Sequence, residues 1–253
     1  MGISAVINTY NADLHLEKVL ECVKDFDEIL ICDMGSTDRT LEIAKKFNCA
    51  ILPHEKLTFV EPARNFAIQN AKNDWVLLLD ADEVISTDLK NFLYEFRNNS
   101  DGNVCLAIPR KNYFLGRFMR AAYPDYVYRF FRKECVVWPE YIHSQPVVKG
   151  KTLKLNPQQM QFAIEHLAND SIYTTLQKNN IYSTAEIPKR LGKKVTAGKL
   201  VFSPFLWFFK YYILKKGFLD GKEGFAFAAL KSQYKFNTIL KIFEHQRNEN
   251  QQH

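Results

Sequence analysis

Two aspartates separated by one residue follow a short run of leucines in the first third of the chain. Asp80 and Asp82 come directly after residues 77–79 (LLL), a pattern typical of a buried strand that ends in a polar turn. Carboxylates at this spacing can chelate a hard divalent cation such as Mg2+ or Mn2+, which neutralises charge on phosphate oxygens. The pair therefore predicts metal-assisted chemistry on a phosphate-containing substrate.

Two enzyme classes use such a pair. One is the metal-dependent glycosyltransferase with a DxD motif, and the other is the haloacid-dehalogenase-type phosphatase, in which Asp80 would be the nucleophile and Val84 would complete the motif. The phosphatase motif normally opens its domain and needs a later Lys and a second acidic pair. Here three strand–helix units precede the motif, and the later Asp220 is a single acid in a basic setting. The context favours the glycosyltransferase.

Polar residues also follow the first two predicted strands. Thr9, Tyr10 and Asn11 follow the first strand, and Asp33 follows the second. Because ligands collect at the carboxyl ends of parallel strands, these residues are candidates for the same site. The alternative for Asp33 is a turn former, and residues 36–38 (STD) are expected to cap a helix rather than bind a ligand.

The order of the predicted elements indicates an α/β fold. Short apolar runs at residues 4–7, 29–32, 50–52 and 75–79 alternate with helical patterns at 16–23, 41–47, 63–71 and 89–96. Such alternation implies right-handed crossovers and a parallel sheet that is covered on both faces. Further strands are predicted at residues 104–108, 126–131 and 146–155, and helical patterning returns near residue 171.

Several of these segments occur in the order and spacing of inverting family-2 glycosyltransferases of the GT-A fold. They are residues 5–11 (AVINTYN), 33–40 (DMGSTDRT), 63–67 (ARNFA) and 75–83 (WVLLLDADE). Later segments resemble the bacterial subgroup that glucosylates the inner core of lipopolysaccharide or lipooligosaccharide. These are residues 109–116 (PRKNYFLG), 123–126 (YPDY), 129–132 (RFFR) and 217–221 (GFLDG).

The resemblance implies an activity and a set of site residues. A hexose, with glucose expected, would move from a UDP-sugar to a saccharide acceptor with a divalent metal, Mg2+ or Mn2+. Asp82 would ligate the metal, Asp80 would face the ribose and the metal, and Arg64 would close over the nucleotide. The residues assigned to the nucleotide-sugar are Thr9, Tyr10, Asn11, Asp33, Arg64, Asn65, Asp80 and Ala81.

The catalytic base is where the sequence departs from this family pattern. Many relatives carry a His-Glu pair late in the domain, and the matching residues here are His143 and Ser144. An inverting transfer needs a carboxylate beside the acceptor hydroxyl, so the candidates are Asp125 and Glu140. His143 is a candidate metal ligand, with a structural histidine as the alternative. A nucleotide-sugar-binding protein that has lost catalysis is the rival interpretation.

The predicted organisation is a catalytic domain followed by a helical appendage. Residues 1–169 form the domain, with a nucleotide-sugar half at 1–110 and an acceptor half at 104–169. Residues 170–246 form the appendage, and the polar tail at 247–253 is expected to be disordered. Apolar residues recur at helical spacing in the appendage, which predicts an anionic-membrane contact or, alternatively, packing on the domain or a second subunit. They are Phe202, Phe205, Leu206, Phe209, Tyr212 and Ile213.

Charge and composition add expectations about partners and location. The net charge is +6, and residues 189–222 hold nine Lys or Arg against one acid, which suits an anionic partner. No nucleic-acid-binding module surrounds this cluster, so nucleic acid is not the expected target. Five cysteines without metal-like spacing, and no secretory signal, predict a cytoplasmic protein at the inner membrane face. Four basic residues are expected near the acceptor side and would suit a phosphorylated acceptor. The alternative is that they are ordinary solvent-exposed charges of the strands. They are Arg110, Lys111, Arg129 and Arg132.

Overall fold

The computed structural model describes residues 2–57, 60–139, 144–167, 171–192 and 194–251. The chain forms two compact units, one of residues 1–111 and 124–167, the other of residues 112–123 and 168–253. The division differs from the predicted boundaries at residues 112–123, which group with the C-terminal helices. One reason is that buried Asp220 accepts hydrogen bonds from the Ala121 backbone N–H and from Arg120 Nη1, at 3.2 and 3.0 Å.

The first unit begins with four parallel strands in the spatial order β3-β2-β1-β4. Every residue of β1 is buried, and β4 is buried up to Asp80, which explains why both read as continuous apolar runs. The strands are β1 (Ile3–Thr9), β2 (Glu28–Asp33), β3 (Ala50–Pro53) and β4 (Trp75–Asp80). The helices of this part are α1 (Asp13–Val23), α2 (Thr40–Lys46), α3 (Glu61–Asn70) and α4 (Thr87–Asn98).

Further strands extend this sheet and bring distant residues to the end of β4. The extension contains β5 (Glu83–Val84), β6 (Asn103–Phe114), β7 (Arg117–Phe118), β8 (Asp125–Arg132), β11 (Lys151–Lys154) and β12 (Ile164–His166). β8 is antiparallel to both β4 and β6, β7 to β6 and β12 to β5, whereas β11 pairs in parallel with β6. A separate two-stranded sheet joins β9 (Val136–Val137) and β10 (Val147–Val148). The strand predicted at 146–155 is thus two strands, interrupted at Gly150 with φ +141°.

Within its described residues, the second unit contains three α-helices, α5 (Ile172–Ala185), α6 (Ala197–Phe209) and α7 (Gly221–Gln251). α6 continues into a π-helical turn, Lys210–Leu214. A Cβ atom on Gly224 would lie 1.9 Å from the Gly217 carbonyl oxygen, so only glycine fits where α7 meets the preceding turn. The expectation of a disordered tail from residue 247 is wrong as far as Gln251, because the helix propagates through these polar residues.

The cysteines of the structure are free thiols, as the sequence predicts for a chain without a disulfide framework. Cys32 and Cys105 are buried, and burial raises the pKa of the Cys32 thiol to about 11 and that of Cys105 to about 12. These thiols are therefore protonated core residues rather than nucleophiles. Among the helices of the described ranges, none combines the length and the apolar character needed to cross a bilayer.

Candidate active site

A tight turn joins β4 to β5 and carries the two aspartates. Asp80 ends β4, Ala81 and Asp82 form the turn, and Glu83 opens β5. The Asp80 backbone N–H donates a hydrogen bond of 3.1 Å to Glu83 Oε2, which closes the turn. Glu83 is fully buried, whereas the Asp80 and Asp82 side chains are about one third exposed, at 29% and 31%. The turn therefore keeps one acid inside the protein and presents two towards solvent.

Arginines from three different elements hold Asp80 and Glu83. Arg64 of α3 donates through Nη2 to Asp80 Oδ1 at 2.7 Å. Arg129 of β8 donates through Nη2 to the other Asp80 oxygen and to Glu83 Oε1. The Arg129 side chain is 5% exposed, so its charge is neutralised inside the protein by these two carboxylates.

Arg110 of β6 extends the arrangement to a further acid. Its Nη1 donates to Glu83 Oε1 at 2.8 Å, and its Nε and Nη2 donate to Asp125 Oδ2 at 3.0 and 2.7 Å. Acids and arginines thus alternate in a line that we call the ion-pair chain. Its members, in spatial order, are Arg64, Asp80, Arg129, Glu83, Arg110 and Asp125.

The ion-pair chain fixes the charge of Asp80. Burial acts to raise the pKa of the Asp80 carboxyl, but the guanidinium groups of Arg129, Arg64 and Arg110 outweigh burial and hold that pKa well below its usual range. Arg129 is charged for the reciprocal reason, since Asp80 and Glu83 raise its pKa against the effect of burial. Both Asp80 oxygens face a guanidinium group, so Asp82 is the acid of the motif that is better placed to ligate a cation.

A histidine that the sequence analysis did not select lies beside Asp82. His166 Nε2 is 3.4 Å from Asp82 Oδ2, and the Leu167 backbone N–H donates to the Asp82 carbonyl at 2.7 Å. The cause is strand pairing, because His166 of β12 lies opposite Glu83 of β5. The available signal was a histidine at the end of a short apolar segment, but nothing in the sequence links that segment to the motif.

Asp82 and His166 form a donor pair that suits a divalent cation. A carboxylate oxygen and an imidazole nitrogen are ordinary ligands of transition metals such as Mn2+, while Mg2+ prefers oxygen donors. Among the described residues no group of three or more His, Cys, Asp or Glu could hold a metal. The pair therefore fits a cation that takes its other ligands from phosphate and water. The predicted ligand His143 lies outside the described residues.

Asp33 is saturated by hydrogen bonds from neighbouring loops. Its Oδ1 accepts from Thr9 Oγ1 at 2.8 Å and from Ser36 Oγ at 2.6 Å, and its Oδ2 accepts from the backbone N–H groups of Gly35 and Ser36. Thr9 and Asp33 are both buried. The structure therefore gives Asp33 the turn-forming role that the sequence left as an alternative, and its predicted contact with the nucleotide stays a prediction.

The loops after β1 and β2 are bonded to each other. The Asn11 backbone N–H donates to Ser36 Oγ at 2.9 Å, and Asn11 Oδ1 accepts from the Thr37 backbone N–H at 2.8 Å. Asn11 has a positive φ of 48°, which asparagine adopts more readily than most residues. Tyr10 is exposed, and Lys56 Nζ donates to its hydroxyl at 2.7 Å. Lys56 is a cation at this edge that the sequence analysis did not select.

Asn65 and Arg64 both contact Trp138. Asn65 Nδ2 donates to the Trp138 carbonyl at 2.7 Å, and Asn65 Oδ1 accepts from the Trp138 backbone N–H at 2.9 Å. The Arg64 guanidinium carbon lies 5.9 Å from the centre of a Trp138 ring. The Asn65 amide thus anchors the backbone at Trp138, and its assignment to the nucleotide stays a prediction.

The two candidate bases differ in what the structure says of them. Asp125 is 39% exposed, so solvent can reach it, and two N–H groups of Arg110 donate to its Oδ2. Glu140 lies outside the described residues. Ser144 is buried and donates from Oγ to the Pro139 carbonyl at 2.7 Å. A serine in this position cannot replace the glutamate of the family pattern as a base.

The four basic residues expected on the acceptor side all have partners within the protein. Arg110 and Arg129 belong to the ion-pair chain, and Lys111 Nζ is 3.2 Å from Glu165 Oε1. The Arg132 guanidinium carbon lies 5.5 Å from the centre of a Trp75 ring. Carboxylates of the protein thus pair with Arg110, Lys111 and Arg129, and a phosphorylated acceptor stays a prediction.

The chain belongs to the glycosyl transferase family 2, whose model matches residues 4–149. It is 27% identical to an uncharacterized glycosyltransferase of Rickettsia bellii over 96% of this chain and 86% of the relative. It is also 27% identical to the lipopolysaccharide core biosynthesis glycosyltransferase LpsC of Rhizobium meliloti, over 96% of this chain and 93% of LpsC. Family membership decides against the phosphatase interpretation of the two aspartates.

A solved structure confirms the fold. The chain resembles the mannosyltransferase PcManGT of Pyrobaculum calidifontis, determined in complex with GDP-Man and Mn2+. The TM-score is 0.59 at 11% identity, and the match covers 95% of this chain and 86% of that one. The architecture is therefore the α/β GT-A-like fold expected from the sequence, with helices at its C-terminal end.

Proposed function

We propose that this protein is an inverting hexosyltransferase that moves a sugar, with glucose expected, from a UDP-sugar to a saccharide acceptor. The observation that carries the proposal is the Asp82–His166 pair at the end of β4, beside the ion-pair chain, in a chain of glycosyl transferase family 2. The likeness to LpsC supports an acceptor of the lipopolysaccharide or lipooligosaccharide core. Such an acceptor is lipid-linked, and the proposed location is the inner face of the cytoplasmic membrane.

Asp82 and His166 would hold Mg2+ or Mn2+ through Oδ2 and Nε2. When bound, the cation supplies positive charge to the diphosphate, which makes the nucleotide a better leaving group. The complex of PcManGT with GDP-Man and Mn2+ supports a cation of this kind. Asp80 remains ionised beside the pair because of its arginines, so it can orient a ribose hydroxyl by accepting its hydrogen bond.

Asp125 is the proposed catalytic base. In an inverting transfer one carboxylate takes the proton of the acceptor hydroxyl while that oxygen attacks the anomeric carbon and the nucleotide diphosphate departs from the opposite face. Arg110 fixes the Asp125 carboxylate through Oδ2. Holding the base in one orientation reduces the reorganisation that the reaction requires. Glu140 is the alternative base.

The experiment that tests the proposal is hydrolysis of sugar nucleotides by the full-length protein. We expect UDP release from UDP-glucose in the presence of Mn2+ or Mg2+, and little GDP release from GDP-mannose. Neither nucleotide should be released after chelation of the metal with EDTA. With a core oligosaccharide as acceptor, NMR should show a product of β configuration from the α-linked donor. The Asp88→Asn variant, which changes an exposed acid of α4, serves as the matched control for Asp82→Asn.

Two results would contradict the proposal. Retained UDP binding with no release from any donor would identify a catalytically inactive nucleotide-sugar-binding protein, which the buried Ser144 in place of the family's glutamate favours. Full activity in the presence of EDTA would show that the reaction needs no divalent cation. The His166→Ala variant tests the cation site directly, since it should keep UDP binding and require more Mn2+ for turnover if His166 is a ligand.

A further inference from the structure

The outer face of α6 in the second unit is apolar and exposed. Phe205 is 71% exposed, Phe202 64% and Leu206 63%. The spacing of these side chains places them along one side of the helix, and the same side continues into the following π-helical turn. We call this surface the α6 face. Its members are Val201, Phe202, Phe205, Leu206, Phe209 and Ile213.

The opposite side of α6 is already covered by α7. The rings of Phe208 and Phe225 are 5.2 Å apart between centroids, and Ser232 Oγ donates to the Pro204 carbonyl at 2.7 Å. Tyr212, which the sequence grouped with the exposed apolar stripe, instead packs against Phe208 and Phe225. The contact with α7 therefore accounts for one apolar side of the helix and leaves the α6 face uncovered within the described part of the chain. A contiguous patch of this kind marks an interaction surface.

The exposed charges of the segment that contains α6 have one sign. The residues from 194 to 222 include six exposed lysines, which are Lys194, Lys199, Lys210, Lys215, Lys216 and Lys222. The sole acid of that range is Asp220, which is fully buried and paired with Arg120. The segment therefore presents apolar side chains and positive charge to solvent, without an exposed carboxylate.

This combination selects one occupant among those that could cover the face. A second copy of the chain would bring lysines against lysines, because a two-fold interface places the same patch on both partners. An anionic bilayer instead offers phosphates to the lysines and an apolar interior to the phenylalanines. We infer that the α6 face binds the surface of a membrane that contains anionic lipids.

The length of α6 determines how it would lie in the membrane. Its 13 residues extend about 20 Å, which is less than the ~30 Å of a hydrocarbon core. The helix therefore lies in the interface, with Phe202, Phe205 and Leu206 below the headgroups and the lysines among them. Membrane binding would hold the enzyme where lipid-linked acceptors are found. Only this purpose, and not the binding itself, rests on the proposed function.

The test is flotation of the full-length protein with vesicles, in the absence of substrates. Vesicles of phosphatidylcholine with phosphatidylglycerol are compared with vesicles of phosphatidylcholine alone. We expect at least about 100-fold stronger binding to the anionic vesicles, with binding that falls as salt rises. Each lysine near an anionic leaflet contributes roughly fivefold, so Lys210→Gln, Lys215→Gln and Lys216→Gln together should weaken binding ~100-fold.

The apolar part of the surface is tested with Phe202→Ser, Phe205→Ser and Leu206→Ser combined. The matched control is Leu14→Ser, because Leu14 is 80% exposed on α1 in the other unit. We expect the triple variant to lose binding to anionic vesicles and the control to keep it. Unchanged binding by the triple variant, or equal binding to both vesicle types, would overturn the inference.

Two further measurements keep the result interpretable. If sedimentation shows a wild-type dimer that the triple variant converts to a monomer, and neither protein binds vesicles, the face joins two copies and the membrane inference is wrong. Donor hydrolysis and circular dichroism are expected to be the same for the triple variant and the wild type, which shows that folding is intact. Because vesicle binding needs no sugar transfer, failure of hydrolysis in both would contradict the proposed function and leave the membrane result standing.

Discussion

The loop after β2 and the turn after β4 both carry acids at the carboxyl end of the parallel sheet, but they hold those acids by different means. Asp33 accepts four hydrogen bonds from neutral donors, three of them from its own loop. Asp80 is held by arginines that come from α3 and β8. Neutral local bonds build a rigid framework, whereas guanidinium groups keep the acid ionised beside the candidate cation site.

This difference separates residues that shape the site from residues that react in it. Both oxygens of the Asp33 carboxylate accept hydrogen bonds from its own loop and from Thr9. The ion-pair chain instead ends at Asp125, a partly exposed acid, and passes close to Asp82. Substitutions in the second region should therefore affect chemistry or buried charge, and those in the first should affect loop order.

The largest effect is expected at the end of the ion-pair chain. Asp125→Asn removes the proposed base while Asn keeps the size of the side chain, so turnover on the saccharide acceptor should fall by ~10²–10⁴-fold. UDP affinity should stay nearly constant, because the base acts on the acceptor. Steady-state kinetics and calorimetry measure the two quantities. Glu140→Gln is the companion variant, and if only that variant loses turnover the base is Glu140.

Arg129→Met tests whether the chain of charges is needed for stability. The variant leaves Glu83 and part of Asp80 without their shared cation inside the protein, so we expect a loss of about 3–5 kcal/mol in the free energy of unfolding. Urea unfolding measures it. The control is Arg39→Met, because Arg39 is 73% exposed and its pair with Asp13 should contribute about 0–1 kcal/mol. Equal losses in the two variants would show that the buried ion pairs stabilise the fold no more than the exposed pair does.

Asp82→Asn tests the candidate cation site. Charge stabilisation by a bound cation contributes several kcal/mol to the transition state, and ~3 kcal/mol corresponds to a loss of about 100-fold in turnover. The Mn2+ dependence of UDP binding should disappear, while thermal unfolding without ligand should stay unchanged. Turnover within tenfold of the wild type would contradict the assignment of Asp82 to the metal.

Asp33→Ala addresses the framework and should have the smallest effect. It removes a buried acceptor of four hydrogen bonds, so we expect a loss of about 1–3 kcal/mol in the free energy of unfolding, measured without ligand. UDP affinity should fall as well, because Thr9 and Asn11 lose their anchored loops. Asp33→Asn keeps one acceptor oxygen, so its stability and UDP affinity should lie between those of the wild type and of Asp33→Ala. If stability falls and UDP affinity does not, Asp33 is a turn residue alone.

The sequence determined the elements whose signal is local. Four strands and four helices of the first unit lie where apolar periodicity predicts them, because a buried parallel strand and an amphipathic helix each need their own pattern of side chains. The DxD motif was found at a strand end for the same reason. The family was recognised from short local segments between residues 5 and 83, and the match to residues 4–149 confirms it.

The tertiary structure alone decided which distant residues meet. His166 reaches Asp82 because β12 pairs with β5, and Arg110 reaches Asp125 because β6 pairs with β8. Strand pairing depends on how the whole sheet closes, so no local pattern encodes these contacts. The same holds for the α6 face: its apolar spacing is present in the sequence, but packing of α6 on α7 decides which side stays exposed and sets Tyr212 against Phe225 instead.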